Sequence, residues 1–337
     1  MLTEPSSFPS SLQTAGYTAL YCITMVAALT GNFLLIFIIK RRPDTRSVTG
    51  FLFVNMAVAD LLVTSFVMPV SIEWLYSGGK WLPGILGHIT CTLVYFIFYV
   101  TLAASIVSLS LMSVDRYLAV IFPLRRFPRF RRPKVLAVAV WLISIAFSIP
   151  IAAVWRLVEY KPLGIYVCTP EIERLGGFGP KGYYMYLFLL MYLIPLFIIS
   201  SLYFLVGRAL WRRNVPGVVS AETEKRNRRT KLIVVRMLAI ITIAFAVCWL
   251  PAQTYHLILA FRPDIHRASP PYVMFLCFWS GHANSAVNPW LYILLNDKFR
   301  KALCSVLSKA LSGTNYTSTG GNLVSRLIAD PIRETNV

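Results

Sequence analysis

Charged and polar side chains inside apolar stretches are the residues of this chain that could do chemistry. The run from Cys91 to Tyr117 is of helix length, and its only formal charges are Asp115 and Arg116. Six of its residues recur at steps of four and three, which places them on one helical face. They are Phe98, Leu102, Ser105, Leu109, Met112 and Arg116. At about 1.5 Å per residue, Phe98 and Arg116 lie about 27 Å apart, close to the ~30 Å hydrocarbon core of a bilayer. This face therefore suits communication between two membrane surfaces.

Asp60 is another ionisable group within an apolar stretch, and its span would hold it near mid-membrane. A charge there costs at least ~2.5 kcal/mol and by default marks function. A structural acid hydrogen-bonded to Asn32 is the alternative interpretation. No histidine or second carboxylate lies at a matching depth, so the paired groups of a membrane enzyme are absent from the pattern and we expect no enzyme. A secondary transporter would show repeated halves, and the sequence has no internal repeat.

Seven apolar stretches must position these residues. The chain has a mean hydropathy of +0.63 and is 57% hydrophobic and 14% charged, against about 25% charged in soluble proteins. Each stretch reaches the ~20 residues needed to cross a bilayer as a helix. The predicted helices one to seven are residues 17–39, 49–75, 89–122, 135–155, 183–207, 232–261 and 271–295. The predicted fold is an all-α membrane protein, a bundle of seven transmembrane helices.

The distribution of basic residues predicts the orientation of the bundle. The loops after helices one, three and five are strongly basic, whereas the alternate loops are sparser. The positive-inside rule then places the N-terminus outside the cell and the C-terminus in the cytosol. The net charge of +19 reflects this topology and contact with anionic lipid, so nucleic acid is not an expected partner. We expect an extracellular tail (1–16), a transmembrane domain (17–295), an amphipathic helix eight (296–309) and a cytosolic tail (310–337).

Two cysteines lie on the oxidising side in this topology. Cys91 begins helix three and Cys168 lies in the long outer loop between helices four and five, so we expect a disulfide between them. Cys304 follows a short basic amphipathic stretch after helix seven. This pattern indicates a helix on the membrane surface with either a palmitoylated or an unmodified cysteine.

Prolines beside aromatic or polar residues indicate helices that can bend. Pro69 is expected to kink helix two, and Pro195, Pro251 and Pro289 to kink helices five, six and seven. Proline removes a backbone hydrogen bond inside a helix and so creates a hinge. The pattern favours a bundle that moves.

Taken in order along the chain, these residues resemble the rhodopsin-like G-protein-coupled receptors, from about Gly31 to Cys304. The resemblance is carried by Gly31-Asn32, Asp60, Cys91 with Cys168, Asp115-Arg116-Tyr117, Trp141, Pro195 with Tyr203, Phe245, Cys248-Trp249-Leu250-Pro251 and Asn288-Pro289-Trp290-Leu291-Tyr292. Together they cover every helix.

The resemblance implies roles for these positions. Arg116 would pair with Asp115 at rest and meet a G protein once helix six swings outward. Tyr203 and Tyr292 would then reach toward Arg116. Trp249 would sense the ligand while Ile106, Pro195 and Phe245 repack below it. An allosteric sodium pocket would consist of Asp60, Ser105, Asn284, Ser285 and Asn288, a set of hard oxygen ligands with one negative charge.

Three positions depart from the family pattern. Lys231 stands where an acidic residue often bridges to the position of Arg116, so that inner lock is absent and basal activity is expected. Phe98 replaces the aspartate of amine receptors, which argues against an amine. His282 replaces the Schiff-base lysine of opsins, which argues against retinal and favours a hydrogen-bonded pocket histidine.

The resemblance also places a ligand cavity in the outer half. Its expected lining is Glu73, Trp74, Phe98, Tyr99, Leu102, Trp249, Gln253, His256, Phe278 and His282. An aromatic cavity with few polar points suits a short peptide or an amphipathic small molecule. Acids at Glu73, Glu159, Glu171 and Glu173 favour a basic neuropeptide, with an amidated C-terminus as one option, although solvated loop acids are the simpler explanation.

The type most resembled is the neuropeptide receptor of the neuropeptide Y, tachykinin, galanin or RFamide kind. The implied partners are a heterotrimeric G protein, arrestin, a receptor kinase and membrane lipid, and the implied location is the plasma membrane. A receptor for a non-peptide small molecule and a non-signalling decoy or scaffold are the alternatives.

Overall fold

A computed structural model describes residues 10–42, 47–123, 125, 132–212 and 221–312. Its main feature is a bundle of seven long helices, so the predicted fold is confirmed. They are helix one, Ser11–Arg41; helix two, Val48–Ser77; helix three, Gly84–Ile121; helix four, Pro133–Val154; helix five, the successive segments Gly179–Phe188, Leu189–Leu193 and Ile194–Arg212; helix six, Ala221–Phe261; and helix seven, Pro271–Leu295. Helix eight, Asp297–Ser312, follows at once.

Six of these helices are long and apolar enough to cross a membrane, by length and composition. Helix seven is of similar length but carries His282, Asn284, Ser285 and Asn288. The bundle is polar at several points inside and apolar outside. Asn32 and Asn288 are buried, whereas Phe33 and Phe197 are exposed on the outer face. Such an arrangement fits lipid as the surrounding solvent, because only the interior offers hydrogen-bond partners.

Several helices begin outside their predicted limits. Ser10 caps helix one: its hydroxyl accepts a hydrogen bond from the Gln13 amide, and the Gln13 side chain accepts one from the Ser10 amide. This capping box starts the helix at Ser11 instead of 17, so the last residues of the predicted tail 1–16 are helical. Residues 1–9 lie outside the described part of the chain. Helix six starts at Ala221 instead of 232, because charged residues continue a helix as readily as apolar ones.

The limits of helix eight and of the cytosolic tail also differ from their predicted values. Helix eight runs to Ser312, beyond the predicted end at 309, so the first residues of the predicted tail 310–337 are helical. Residues 313–337 lie outside the described residues.

Two of the expected kinks take the form of π-helical turns. One spans Val63–Val67, just before Pro69, and the other spans Leu189–Leu193, just before Pro195. A proline cannot donate to the carbonyl one turn earlier, and a wider turn accommodates the missing bond. The sequence predicted the bends but not the extra residue within each turn.

A small antiparallel sheet covers the outer end of the bundle. Its strands are β1, Lys80–Trp81; β2, Trp155–Tyr160; and β3, Ile165–Pro170, in the order β1-β3-β2. Leu157 pairs with Cys168, and Gly164 closes the hairpin turn with φ of 59°. The disulfide between Cys91 and Cys168, with a Cα–Cα distance of 5.6 Å, ties β3 to helix three and confirms the predicted pairing.

Candidate functional site

A cavity of ≈ 320 Å³ lies in the outer half of the bundle, under the sheet. Seven residues expected to line it do so: Glu73, Trp74, Phe98, Tyr99, His256, Phe278 and His282. Leu102, Trp249 and Gln253 are not part of the lining and are instead buried in the bundle. For these three, direct contact with a ligand stays a prediction.

Sequence reasoning missed a large part of the cavity wall. The additional lining residues include Tyr21, Ser71, Tyr95, Trp155, Tyr183, Tyr184, Tyr255 and His266. Many of them are tyrosines in the outer turns of helices. This enrichment in tyrosine could have indicated the cavity wall from the sequence. Trp155 was not predictable, because its position depends on the hairpin, where its ring stacks on Tyr95 with centroids 3.3 Å apart.

His282 of helix seven lies between helices one and three. Its Nδ1 is 2.9 Å from the Tyr21 hydroxyl, and its ring meets the Phe98 ring edge-on with centroids 5.4 Å apart. The other ring nitrogen, Nε2, is buried with no protein partner. The site thus holds a fixed imidazole with one nitrogen left for another group.

His256 of helix six has a similar arrangement. Its ring stacks on Tyr184 and meets Phe278 edge-on, with centroids 5.4 Å apart in both cases. Its Nδ1 is also buried with no protein partner. The two histidines therefore present unpaired nitrogens from two neighbouring helices.

The cavity wall carries few charged side chains. Glu73 is its only carboxylate, and the wall contains no lysine or arginine among the residues that the structure describes. The rest is largely aromatic. Such a wall favours a ligand with a positive group and an apolar body.

Trp249 lies at the junction between the cavity and the deeper bundle. Its ring centroid is 5.9 Å from that of Phe98 and 6.2 Å from that of Phe245. A Cβ at Gly281 would come within 2.8 Å of the indole. Gly281 is therefore required for the close approach of helix seven to this ring.

Buried oxygen atoms surround Asp60 in the middle of the bundle. Asn288 Nδ2 donates to the Asp60 carboxylate at 3.4 Å. Asn32 Nδ2 donates to the Ser285 carbonyl of helix seven at 3.0 Å, whereas the alternative interpretation of Asp60 as a structural acid had Asn32 bonded to Asp60. The side-chain oxygens of Asn284 and Asn288 are buried without protein partners. Ser105 and Ser285 are buried as well.

The end of the bundle opposite the sheet contains a three-residue polar cluster. Arg116 forms an ion pair with Asp115. Arg116 also donates to the Thr49 hydroxyl of helix two at 3.0 Å, and that hydroxyl donates to Asp115 at 3.3 Å. Thr49 was not predicted, because no local pattern marks it. It connects the arginine to a neighbouring helix.

Four aliphatic side chains from helices three, five and six pack together beside this pair. We name them the inner clasp: Val120, Val206, Leu210 and Val235. Tyr117 and Tyr203 pack against it. These contacts hold the three helices together at the end opposite the sheet.

Tyr292 does not reach toward Arg116 in this conformation. Its ring lies 3.8 Å from that of Phe53, and its hydroxyl contacts the Met56 sulfur at 3.1 Å. Lys231 is half-buried at the inner end of helix six. Residues 126–131 and 213–220, in the basic loops that follow helices three and five, lie outside the described residues.

Helix eight packs on the bundle through Phe299 and Ala302, both buried. The Phe299 ring meets Phe53 edge-on at 6.5 Å. Cys304 is half-buried, and its palmitoylation stays a prediction.

The seven-helix bundle, the roofed outer cavity and the charged pair at the opposite end define a transmembrane receptor. The family model "7 transmembrane receptor (rhodopsin family)" matches residues 31–292. The chain belongs to this family of multi-pass membrane receptors, which are not enzymes.

The chain is also similar to individual receptors of this family. The chain is 32% identical over 290 residues to the allatostatin-A receptor of Bombyx mori, covering 84% of this chain and 76% of the relative. It is 30% identical over 318 residues to the tachykinin-like peptides receptor 99D of Drosophila melanogaster, covering 90% of this chain and 59% of the relative. It is 32% identical over 309 residues to neuropeptide receptor 22 of Caenorhabditis elegans, covering 86% and 69%.

Proposed function

We propose that this chain is a G-protein-coupled receptor of the plasma membrane that binds a short basic peptide outside the cell. The observation that carries the proposal is the aromatic cavity, in which Glu73 is the single charged side chain among the residues that the structure describes. The names of its relatives, which refer to peptides, support the same ligand class. The sheet would then face the medium, and the Asp115–Arg116 pair the cytosol.

Charge supports a cationic residue in the ligand. Glu73 has no arginine or lysine beside it in the cavity wall. Glu171, by contrast, pairs with Arg174 at 2.6 Å and lies outside the lining, so it is a weaker candidate than the sequence suggested. A ligand arginine or lysine would therefore meet Glu73 at the cavity and neutral aromatic faces around it.

Ligand binding would shift a population between closed and open cytoplasmic ends. The closed end has the inner clasp assembled and Arg116 bonded to Thr49 and Asp115. Only a ligand that binds the open form more tightly can drive the change. Outward movement of helix six would separate Val235 from helices three and five and expose Arg116 to a G protein. Arrestin, a receptor kinase and anionic lipid would act on the same cytoplasmic side.

The site around Asp60 fits an allosteric sodium ion. It combines one buried carboxylate with buried hydroxyls and the unpartnered oxygens of Asn284 and Asn288. Oxygen ligands with a single negative charge suit a hard monovalent cation. Asp60→Asn should make agonist affinity independent of sodium chloride when choline chloride replaces it at constant ionic strength. Unchanged sodium dependence would remove this site.

The test is second-messenger output, calcium and cyclic AMP in parallel, from cells that express the chain. The probes are allatostatin-A and tachykinin-like peptides and a library of short basic peptides. Arg116→Ala is run at matched surface expression. A peptide response that is lost with Arg116→Ala supports a signalling peptide receptor.

Glu73→Gln tests the contact with the cation. It should reduce potency on the order of 10-fold or more, because a charge-assisted hydrogen bond becomes a neutral one. Glu159→Gln, an acid on β2 outside the cavity wall, is the matched control. Equal potency in the two variants would contradict the assignment of Glu73.

Two other results would redirect the proposal. Constitutive output that Arg116→Ala lowers, without any peptide response, would favour a receptor for a non-peptide small molecule. Silence in every condition would favour a non-signalling decoy or scaffold.

A further inference from the structure

The backbone of helix six is bonded to two neighbouring helices beside its proline. Pro251 lies inside the helix, so one carbonyl a turn earlier loses its usual N–H partner and the helix can bend there. The Tyr192 hydroxyl of helix five donates to the Ala246 carbonyl at 2.9 Å, and the Ser280 hydroxyl of helix seven donates to the Cys248 carbonyl at 2.9 Å. Both bonds lie on the part of helix six that has to move when the inner end opens.

Neither hydroxyl belongs to the ligand cavity or to the inner clasp. Tyr192 is buried and Ser280 is half-buried, and both lie outside the cavity wall. Along helix six, the carbonyls that they contact lie between His256 of the cavity wall and Val235 of the inner clasp. The two hydroxyls therefore act on helix six and not on a ligand.

The two hydroxyls differ in the partners available to them. The Ser280 hydroxyl is also 2.8 Å from the Cys277 carbonyl of its own helix. A hydroxyl has one hydrogen to donate, so Ser280 can give it either to helix six or to helix seven. The Tyr192 hydroxyl has the Ala246 carbonyl as its one partner among the described residues. When helix six moves, Ser280 keeps a bond, whereas Tyr192 loses one.

The bond from Tyr192 is sensitive to small rotations of helix six. At about 1.5 Å per residue, Ala246 lies about 7.5 Å from Pro251, and Lys231 lies about 30 Å from it. A rotation about the proline therefore displaces Ala246 by about a quarter of the distance that Lys231 moves. An O–H···O bond is lost beyond roughly 3.5 Å. A rotation that draws Ala246 away from helix five thus breaks the bond after a movement of about 2–3 Å at Lys231.

We propose that Tyr192 is a positioning residue that holds helix six in its closed orientation at Pro251, and that Ser280 exchanges its bond from helix six to helix seven as the inner end opens. The first bond is lost on opening and therefore favours the closed state. The second has an equivalent in both states and favours neither. Outward movement of helix six is part of the proposed function, on which this inference rests.

A fluorescent probe on helix six tests the proposal without a ligand or a G protein. Ile233→Cys, at an exposed position of the inner part of helix six, is labelled with an environment-sensitive fluorophore in a Cys22→Ser, Cys304→Ser background. The full chain is studied in lipid nanodiscs, and the open fraction is read from the fluorescence lifetimes. Tyr192→Phe keeps the ring and removes the hydroxyl. It should raise the ratio of open to closed form by about 3- to 10-fold, the factor that one hydrogen bond contributes.

Matched controls separate the effect at Pro251 from a general loss of hydrogen bonds. Tyr186→Phe removes another tyrosine hydroxyl of helix five, which donates to the Phe147 carbonyl of helix four at 2.7 Å. It should change the ratio of open to closed form by less than about 2-fold. Ser280→Ala should have an equally small effect, because its bond has an equivalent in both states. Tyr192→Met, which also lacks the hydroxyl, replaces Tyr192→Phe if that variant fails to fold.

Three results decide the proposal. Equal ratios of open to closed form in Tyr192→Phe and Tyr186→Phe would overturn the assignment of Tyr192. An effect of Ser280→Ala as large as that of Tyr192→Phe would overturn the exchange of its bond. A probe that responds to Tyr192→Phe as expected, in a chain that gives no second-messenger output under any condition, would support the role of Tyr192 while overturning the proposed function.

Discussion

The two ends of the bundle are held together in different ways. At the outer end, a disulfide and a three-stranded sheet fix the cavity wall. At the inner end, the contacts between helices three, five and six include the inner clasp with Tyr117 and Tyr203 packed against it, and Thr49 joins helix two to Arg116. A disulfide and the hydrogen bonds of a sheet hold a binding site in one conformation. Side-chain contacts that can separate allow a closed and an open conformation. We therefore expect a ligand to bind at the end that carries the sheet, and the helices to move apart at the opposite end.

The energies of the contacts at the inner end are consistent with this difference between the two ends of the bundle. A hydrogen bond contributes about 0.5–1.5 kcal/mol net, and a buried methylene about 0.8 kcal/mol. The four side chains of the inner clasp, with the hydrogen bonds at Arg116, together amount to on the order of 10 kcal/mol, but outward movement of helix six separates Val235 alone, whose packing amounts to about 2 kcal/mol. A shift from 1:99 to 99:1 requires about 5.5 kcal/mol of differential binding. A peptide can supply this energy without unfolding the receptor.

The largest effect is expected at the outer end. Cys91→Ser or Cys168→Ser should reduce peptide binding by more than about 10-fold, since loss of a disulfide removes roughly 2–4 kcal/mol of constraint. Binding and surface expression are measured together. Cys22→Ser, at an exposed cysteine in helix one, is the control. Preserved binding without the disulfide would show that the sheet alone fixes the cavity.

The next effect concerns the inner clasp. Val235→Ala removes about 1–2 kcal/mol of packing from the closed end and should raise ligand-independent signalling several-fold at matched expression. Ile233→Ala changes an exposed side chain two residues away and should leave basal signalling unchanged. A fall in basal output with Val235→Ala would contradict the idea that the clasp holds the closed state.

A smaller effect is expected at Thr49. Thr49→Val keeps the shape but removes the hydrogen bonds to Arg116 and Asp115, so basal signalling should rise about 2- to 5-fold. Thr30→Val is the control, since the Thr30 hydroxyl bonds to backbone carbonyls of its own helix. Identical basal output in the two variants would leave Thr49 without a part in the closed state.

The smallest effect is a pH dependence at the outer rim. Burial, with Arg267 nearby, lowers the pKa of His266, whose Nδ1 is 2.8 Å from the Tyr255 hydroxyl. A lowered pKa means that the folded loop prefers the neutral ring. The stabilisation is complete above the unfolded pKa of about 6.5 and is lost as the pH falls toward the folded value. Peptide affinity should fall by less than about threefold between pH 7.4 and 5.5.

His266→Gln should flatten that profile while leaving affinity at pH 7.4 almost unchanged. A profile that stays steep in this variant would assign the pH dependence to another group of the cavity.

The sequence predicted the elements whose signal is local. Seven apolar spans gave the bundle, and the positions of Cys91 and Cys168 gave the disulfide. Noncovalent contacts between residues far apart in the chain were missed. The hairpin at Trp155–Pro170 carries a weak strand signal, because Leu157-Val158 and the run from Ile165 to Cys168 break the alternation of apolar and polar residues, and its strands depend on pairing with each other and with Lys80–Trp81. Thr49 and Tyr21 gained importance from neighbours more than 60 residues away. No pattern within one helix could show those contacts.

The π-helical turn at Val63–Val67 divides the second helix into two segments, each with its own register. Each residue turns an α-helix by about 100°, so removing one residue elsewhere in this helix would rotate everything beyond it. Removing one within the wide turn would restore ordinary α-helical geometry and leave both ends facing as before. Related chains could therefore gain or lose a residue at this point during evolution. Asp60 would keep its neighbours in helix seven, and Glu73 would keep its place in the cavity wall.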